Sequence, residues 1–148
     1  MLFLKFKYFF YYYKSKILKN KYKKIYYEKK TNFNQKLLNK QFTNKWFLNN
    51  FEIFNYFLPK DKSKKFNYLE IGCFEGLSSY YVLSEYEFVN AFLVDLWGAP
   101  NPNSQILSNN FDSIEKHFDQ NLSKFKFTKI KDDSVISMRK LLRENKIF

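Results

Sequence analysis

Cysteine, glycine and proline are scarce in this chain of 148 residues, which holds one Cys, three Gly and three Pro. The lone Cys73 excludes an internal disulfide framework and a cysteine-based zinc site, and it fits a reducing cytoplasm. Arginine is almost absent: Arg139 and Arg143 stand among 26 basic residues. Long apolar runs are missing too. The start, Met1 to Lys7, is broken by Lys5 and Lys7, and nothing approaches the ~20 uncharged residues of a spanning helix or offers a small-residue cleavage site. Neither a transmembrane segment nor a signal peptide is expected. The length suits one ordinary domain with a tail.

Lysine, phenylalanine and tyrosine fill the gap, with 19 Phe and 12 Tyr. These types and the many Asn share A/T-rich codons, so the excess of Lys over Arg carries little chemical meaning. The net charge of +12 is uneven: residues 1–68 carry 17 basic and 3 acidic side chains, and residues 69–148 carry 9 and 11. The basicity belongs to the N-terminal part. Residues 1–41 read as a basic, aromatic, low-complexity leader with a frayed helix or two. Lys for phosphates and aromatic rings for bases or a lipid interface would suit a non-catalytic binding module on nucleic acid or an anionic membrane surface, the alternative function.

In 42–58, Trp46, Phe47, Phe51, Phe54 and Leu58 recur at 3- and 4-residue steps, the spacing of an amphipathic helix capped from Thr43 or Asn44 and stopped by Pro59. From Asn67 the pattern predicts strand 67–72, helix 77–86, strand 89–96, loop 97–103, helix 104–121, strand 125–131 and helix 134–145. Ser104 is the cap expected for the second of these helices, and Asp133 or Ser134 for the last. Strands alternating with helices of this length imply an α/β fold with a parallel sheet.

The chemistry concentrates in Tyr68-Leu69-Glu70-Ile71-Gly72-Cys73-Phe74-Glu75-Gly76-Leu77-Ser78-Ser79 and, beyond it, Phe92-Leu93-Val94-Asp95. Gly72 and Gly76 bracket a strand-to-helix turn, where a missing Cβ permits unusual dihedrals and close approach of a ligand to the main chain. Ser78 adds a hydroxyl at the helix start. Phe74 occupies the place of the middle glycine in a dinucleotide fingerprint, which argues against NAD or FAD. Asp95 ends the second strand 19 residues after Gly76, placed either to accept both hydroxyls of a ribose or to cap a turn. Glu70, inside a strand, needs a cationic ligand, a Lys or several N–H donors. Cys73 reads as a small filler. His117, the only histidine, reads as a surface or packing residue on a polar helix. No metal ligands are indicated.

Glu70-x-Gly72-x-x-x-Gly76-x-Ser78 with Asp95 resembles the cofactor site of class I S-adenosylmethionine-dependent methyltransferases, in the form of the catechol O-methyltransferase-like branch and the small bacterial methyltransferase-domain proteins near it. Phe42 to Phe47 and Glu115 to Asn121 are similar to helices of the latter, so the likeness covers 42–148. It implies a partial Rossmann-like domain over 42–148 that binds S-adenosyl-L-methionine. Glu70, Gly72, Cys73, Phe74 and Gly76 would surround the methionine moiety, with Ser78 helping to hold it. Asp95 would grip the ribose, Leu96 and Trp97 with Gly98-Ala99-Pro100 would line the adenine or substrate mouth, and Asp132, Asp133 or Ser134 would approach the adenine edge. The implied reaction is methyl transfer to a small-molecule or sugar-type acceptor. In the family the base or metal ligand follows a fourth strand, so no catalytic residue is assigned. Ile147-Phe148 would open such a strand. The expectation is a fragment that depends on its missing C-terminal half or on a homo-oligomer.

Overall fold

A computed structural model of the chain describes residues 16–17, 20–63, 65–98 and 111–146. The expected loop residues Ala99 to Asn103, the Ser104 cap, the start of the helix predicted from 104, most of the leader's first 19 residues, and Ile147-Phe148 lie outside them. The chain divides into two compact units, one of residues up to Asn39 with Asn44–Lys60, the other of Lys40–Thr43 with Asp61 onward.

The first unit is helical: a stretch at 20–25, then α1 (Tyr27–Lys36), α2 (Trp46–Asn49) and α3 (Phe51–Phe57). Aromatic rings form its interior. Phe33 stacks on Phe51 with centroids 5.9 Å apart, and Phe47 meets Phe33, Phe51 and Phe54 edge-on. Lys60 closes α3 by donating Nζ–H to the Asn55 and Tyr56 carbonyls, the favourable placement of a cation at a helix C-terminus.

The single helix expected over 42–58 is two short ones. Asn50, at φ −121° and ψ 13°, interrupts it, and neither Thr43 nor Asn44 caps it, for Lys45 holds that position without a side-chain hydrogen bond. The cause is competition. Both donors of Thr43, its N–H and its hydroxyl, bind Glu75 in the second unit, to which Thr43 itself belongs. Trp46, expected on the apolar face, is exposed. Leu58 is extended, as the residue before Pro59 must be.

The second unit is α/β: β1 (Phe66–Ile71), α4 (Leu77–Glu85), β2 (Phe88–Asp95), α5 (Phe111–Leu122), β3 (Thr128–Lys131) and α6 (Ser134–Arg143). The three strands form an open, all-parallel sheet in the order β1-β2-β3, flanked by helices. Ala91, Phe92, Leu93 and Val94 of the central strand are all buried, so both of its faces are covered and the strand reads as a continuous apolar run. The third strand is shorter than the predicted 125–131. Phe125 is still turning, its N–H bonded to the Leu122 carbonyl. Asp133, not Ser134, caps α6 by accepting from the N–H groups of Val135 and Ile136. No helix among the described residues is long and apolar enough to cross a membrane.

Candidate functional site

Parallel α/β sheets bind ligands outside the carboxyl ends of their strands. A cavity of about 190 Å³ lies there, lined by Ile71 and Gly72 after β1, Val94, Asp95 and Leu96 at the end of β2, and Asp132, Asp133 and Ser134 after β3. It brings together Gly72, Asp95, Leu96, Asp132, Asp133 and Ser134 of the residues singled out in the sequence. A larger depression of about 680 Å³ in the first unit follows the stretch at 20–25 and the start of α1, and joins no groups from separate strands. The strand-end cavity has the better claim to chemistry, because three elements converge on it.

The glycine turn is built from three left-handed residues: Gly72 at φ 80°, Phe74 at 51° and Gly76 at 79°. The two glycines serve different neighbours. A Cβ on Gly72 would meet nothing within 4 Å, whereas a Cβ on Gly76 would lie 3.0 Å from Leu122 Cδ1 and from Phe118 Cδ2. Gly76 therefore admits α5 against the turn and does not face the cavity. Phe74 adopts a conformation that costs a side-chain-bearing residue about 1–2 kcal/mol, and it is held there from both ends. Its N–H donates to Asp95 Oδ2 at 2.7 Å, and its carbonyl accepts from Trp97 Nε1 at 2.8 Å.

Asp95 also accepts the Trp97 N–H through Oδ1, at 3.2 Å. It thus closes a turn, yet each carboxylate oxygen has a second lone pair, so the group retains capacity for two hydroxyls. Trp97 turns inward, is 2 % exposed, and tilts against Phe118 at 4.3 Å. It does not line the cavity. Leu96 beside it is exposed, as is Ile71 across the mouth.

Glu70 sits partly buried on β1 and accepts three hydroxyl hydrogen bonds, from Ser78, from Ser79 at 2.7 Å and from Tyr68 at 2.8 Å. Its donors are neither the Lys nor the backbone N–H groups expected. Burial pushes its pKa above the ordinary glutamate value against the pull of those hydroxyls, and the charge of Asp95 adds to the rise. Ser78 is thereby committed to Glu70. Cys73 is buried below the turn, its Sγ near the Glu70 and Val94 carbonyls. Burial, then Glu70 and Asp95, push the thiol's pKa up, which makes it a poor nucleophile.

Compared with known proteins, the chain matches no protein-family model, no curated protein and no solved structure.

Charge sets this site apart from the rest of the chain. Among the described residues, ion pairs from lysines reach Glu52, Glu85, Glu87, Glu115 and Asp119, and none reaches Glu70 or Asp95. Lys131, the register neighbour of Asp95 on β3, is turned to Glu115. In a protein of net charge +12, the strand ends thus hold carboxylates that no cation of the described residues pairs. No group of His, Cys, Asp and Glu able to hold a metal occurs among the described residues.

Sequence reasoning missed Tyr68, Ser79 and the whole environment of Glu75. Tyr68 was within reach, since residues two apart share a strand face. Glu75 is 1 % exposed and bonds Thr43 and His117, partners 32 and 42 positions away that no local pattern connects. His117, expected as a surface or packing residue, is partly buried and lies against Glu75 through this contact.

Proposed function

We propose that the second unit is the cofactor-binding part of a class I S-adenosylmethionine-dependent methyltransferase, with a Rossmann-like sheet of which β1, β2 and β3 are one half. The observation that carries this reading is the set of carboxylates at the ends of parallel strands, unpaired with any cation among the described residues, beside an open left-handed Gly72. Such a site favours a ligand bearing both a positive charge and vicinal hydroxyls. The residues fit S-adenosyl-L-methionine in chemistry. Asp95 has acceptor capacity for the ribose, Gly72 leaves its main chain open to the methionine part, and Ser134 and Asp133 stand at the far wall for the adenine edge. Exposed Ile71 and Leu96 offer apolar surface to a flat ring. The cavity is smaller than the roughly 300–1,000 Å³ of a whole small-molecule pocket, so part of the ligand would lie across these two side chains. Glu70, tied to hydroxyls of Tyr68, Ser78 and Ser79, fastens the start of α4 to β1.

When bound, the group supplies an electrophilic sulfonium methyl for a nucleophile on the acceptor. The chain's own contribution is orientation: a turn anchored at Phe74 and a carboxylate aimed from Asp95. The acceptor proposed is a small molecule or sugar. Calorimetric titration of the folded chain with S-adenosylmethionine and with S-adenosylhomocysteine tests the reading. Binding of both, tighter for the sulfonium, is expected; no heat from either overturns it.

A further inference from the structure

Glu75 is among the least exposed residues of the protein, at 1 %, yet it lies in the glycine turn, between the left-handed Phe74 and Gly76. Its carboxylate accepts from the Thr43 N–H at 2.6 Å and the Thr43 hydroxyl at 3.0 Å, and Oε1 lies 2.8 Å from His117 Nδ1. Its carbonyl accepts from Asn121 Nδ2 at 3.0 Å, and Asn121 is in turn bonded in both directions to the Gln41 main chain. Lys40 adds a bond from Nζ to the Asn121 carbonyl. A strap of residues 40–43 is thus fastened to the turn through Glu75 and to α5 through Asn121. No group of this knot lines the cavity.

Burying a carboxylate is costly unless donors surround it, and packing alone would be served by an apolar side chain. We infer that Glu75 is a positioning residue for the ribose-binding carboxylate, acting through the backbone; this rests on the cofactor reading above. The route is short. Glu75 fixes the turn from the side of α5, the turn holds Phe74 at positive φ, and the Phe74 N–H occupies Asp95 Oδ2. That bond leaves the remaining lone pairs of Asp95 aimed at the cavity. Loosening Glu75 frees Phe74 to leave its strained conformation, and Asp95 then loses the bond that orients it.

The test is a cycle that separates orientation of Asp95 from loss of folded protein. Affinities of S-adenosylhomocysteine and of its 2′,3′-dideoxy analogue are measured for the full chain and for Glu75→Gln. The wild-type protein should prefer the hydroxylated ligand by roughly tenfold or more, and Glu75→Gln should reduce that preference severalfold, as expected for coupled neighbours in one network. A purely structural role would weaken both ligands alike and leave the ratio unchanged, which overturns the inference. If Glu75→Gln does not fold by circular dichroism, Thr43→Val, which removes one donor, is judged by the same ratio. Wild-type protein that binds neither ligand overturns the cofactor reading itself, and the inference with it.

Discussion

The glycine turn has two sides, and they use the same residue types to opposite ends. On the side of α5, Gly76 is crowded by Phe118 and Leu122, Glu75 is paired with His117, and Glu115 is held by Lys129 and Lys131. On the cavity side, Gly72 faces open space, while Glu70 and Asp95 have no cation among the described residues. One side is closed, its acids each held by a hydrogen-bonded partner. The other retains room beside its carboxylates, which is what the proposed cofactor would need.

The sharpest way to break this contrast is to place the same methyl group at both glycines. Gly76→Ala adds overpacking to left-handed strain and should destabilise by about 2–4 kcal/mol, read as a lowered midpoint in urea. Gly72→Ala meets only the strain, about 1 kcal/mol, but puts its Cβ into the cavity. It should weaken S-adenosylmethionine binding more than it weakens the fold. Equal loss of stability in the two variants would erase the distinction between the sides.

Removing the carboxylate at the end of β2 tests the open side directly. Asp95→Ala leaves the Phe74 and Trp97 N–H groups without their acceptor, at about 1–3 kcal/mol for a buried orphaned donor. It should also lower affinity for S-adenosylhomocysteine by roughly a hundredfold, equivalent to about 2.8 kcal/mol. A variant with unchanged affinity would reduce Asp95 to a turn cap.

Much of this architecture is written locally. The first strand, turn, helix and second strand were expected at 67–72, 77–86 and 89–96 and occur at 66–71, 77–85 and 88–95, because two glycines punctuate a continuous apolar run. What sequence reading could not see is allegiance. Thr43 looked like a helix cap until Glu75, 32 residues away, claimed both its donors. Trp97 looked like a mouth residue, yet Phe118 offers it a ring and Phe74 a carbonyl. Gly76 has the spacing of a ligand loop, but its missing Cβ is filled by α5. Each depends on a tertiary partner without a local signature. Charge balance at the strand ends was hidden for the same reason, since composition counts lysines without showing which carboxylates they leave alone.

The pH dependence of stability should carry opposite signs on the two sides. Burial raises the pKa of Glu70 in the folded state, so the folded protein binds more protons than the unfolded chain between the ordinary glutamate value, about 4.3, and the raised one. Its contribution is therefore fully favourable below the unfolded pKa and declines as pH rises through the folded pKa. Glu70→Gln, which keeps the shape and cannot ionise, should gain stability relative to wild type across that window in chemical denaturation at stepped pH. A parallel wild-type and variant profile would remove Glu70 from the argument. By the same linkage, S-adenosylmethionine, with its extra positive charge, should release more protons on binding than S-adenosylhomocysteine does.

The smallest effect belongs to the closed side. Hydrogen bonds from Lys129 and Lys131 hold the Glu115 carboxylate below the usual range, so its contribution is present above the unfolded pKa and lost as pH falls through the folded one. The lysines are partly exposed, and Lys129 also bonds Asp119 at 2.7 Å, which remains when Glu115 is neutralised. Glu115→Gln should therefore cost less than about 1 kcal/mol, as exposed ion pairs do. The cost should fade in high salt, where exposed charges are screened, and vanish at acid pH. A salt-insensitive cost of several kcal/mol would mean that Glu115 is as deeply committed as Glu75, and that the outer surface of α5 and β3 is part of the core and not its charged rim.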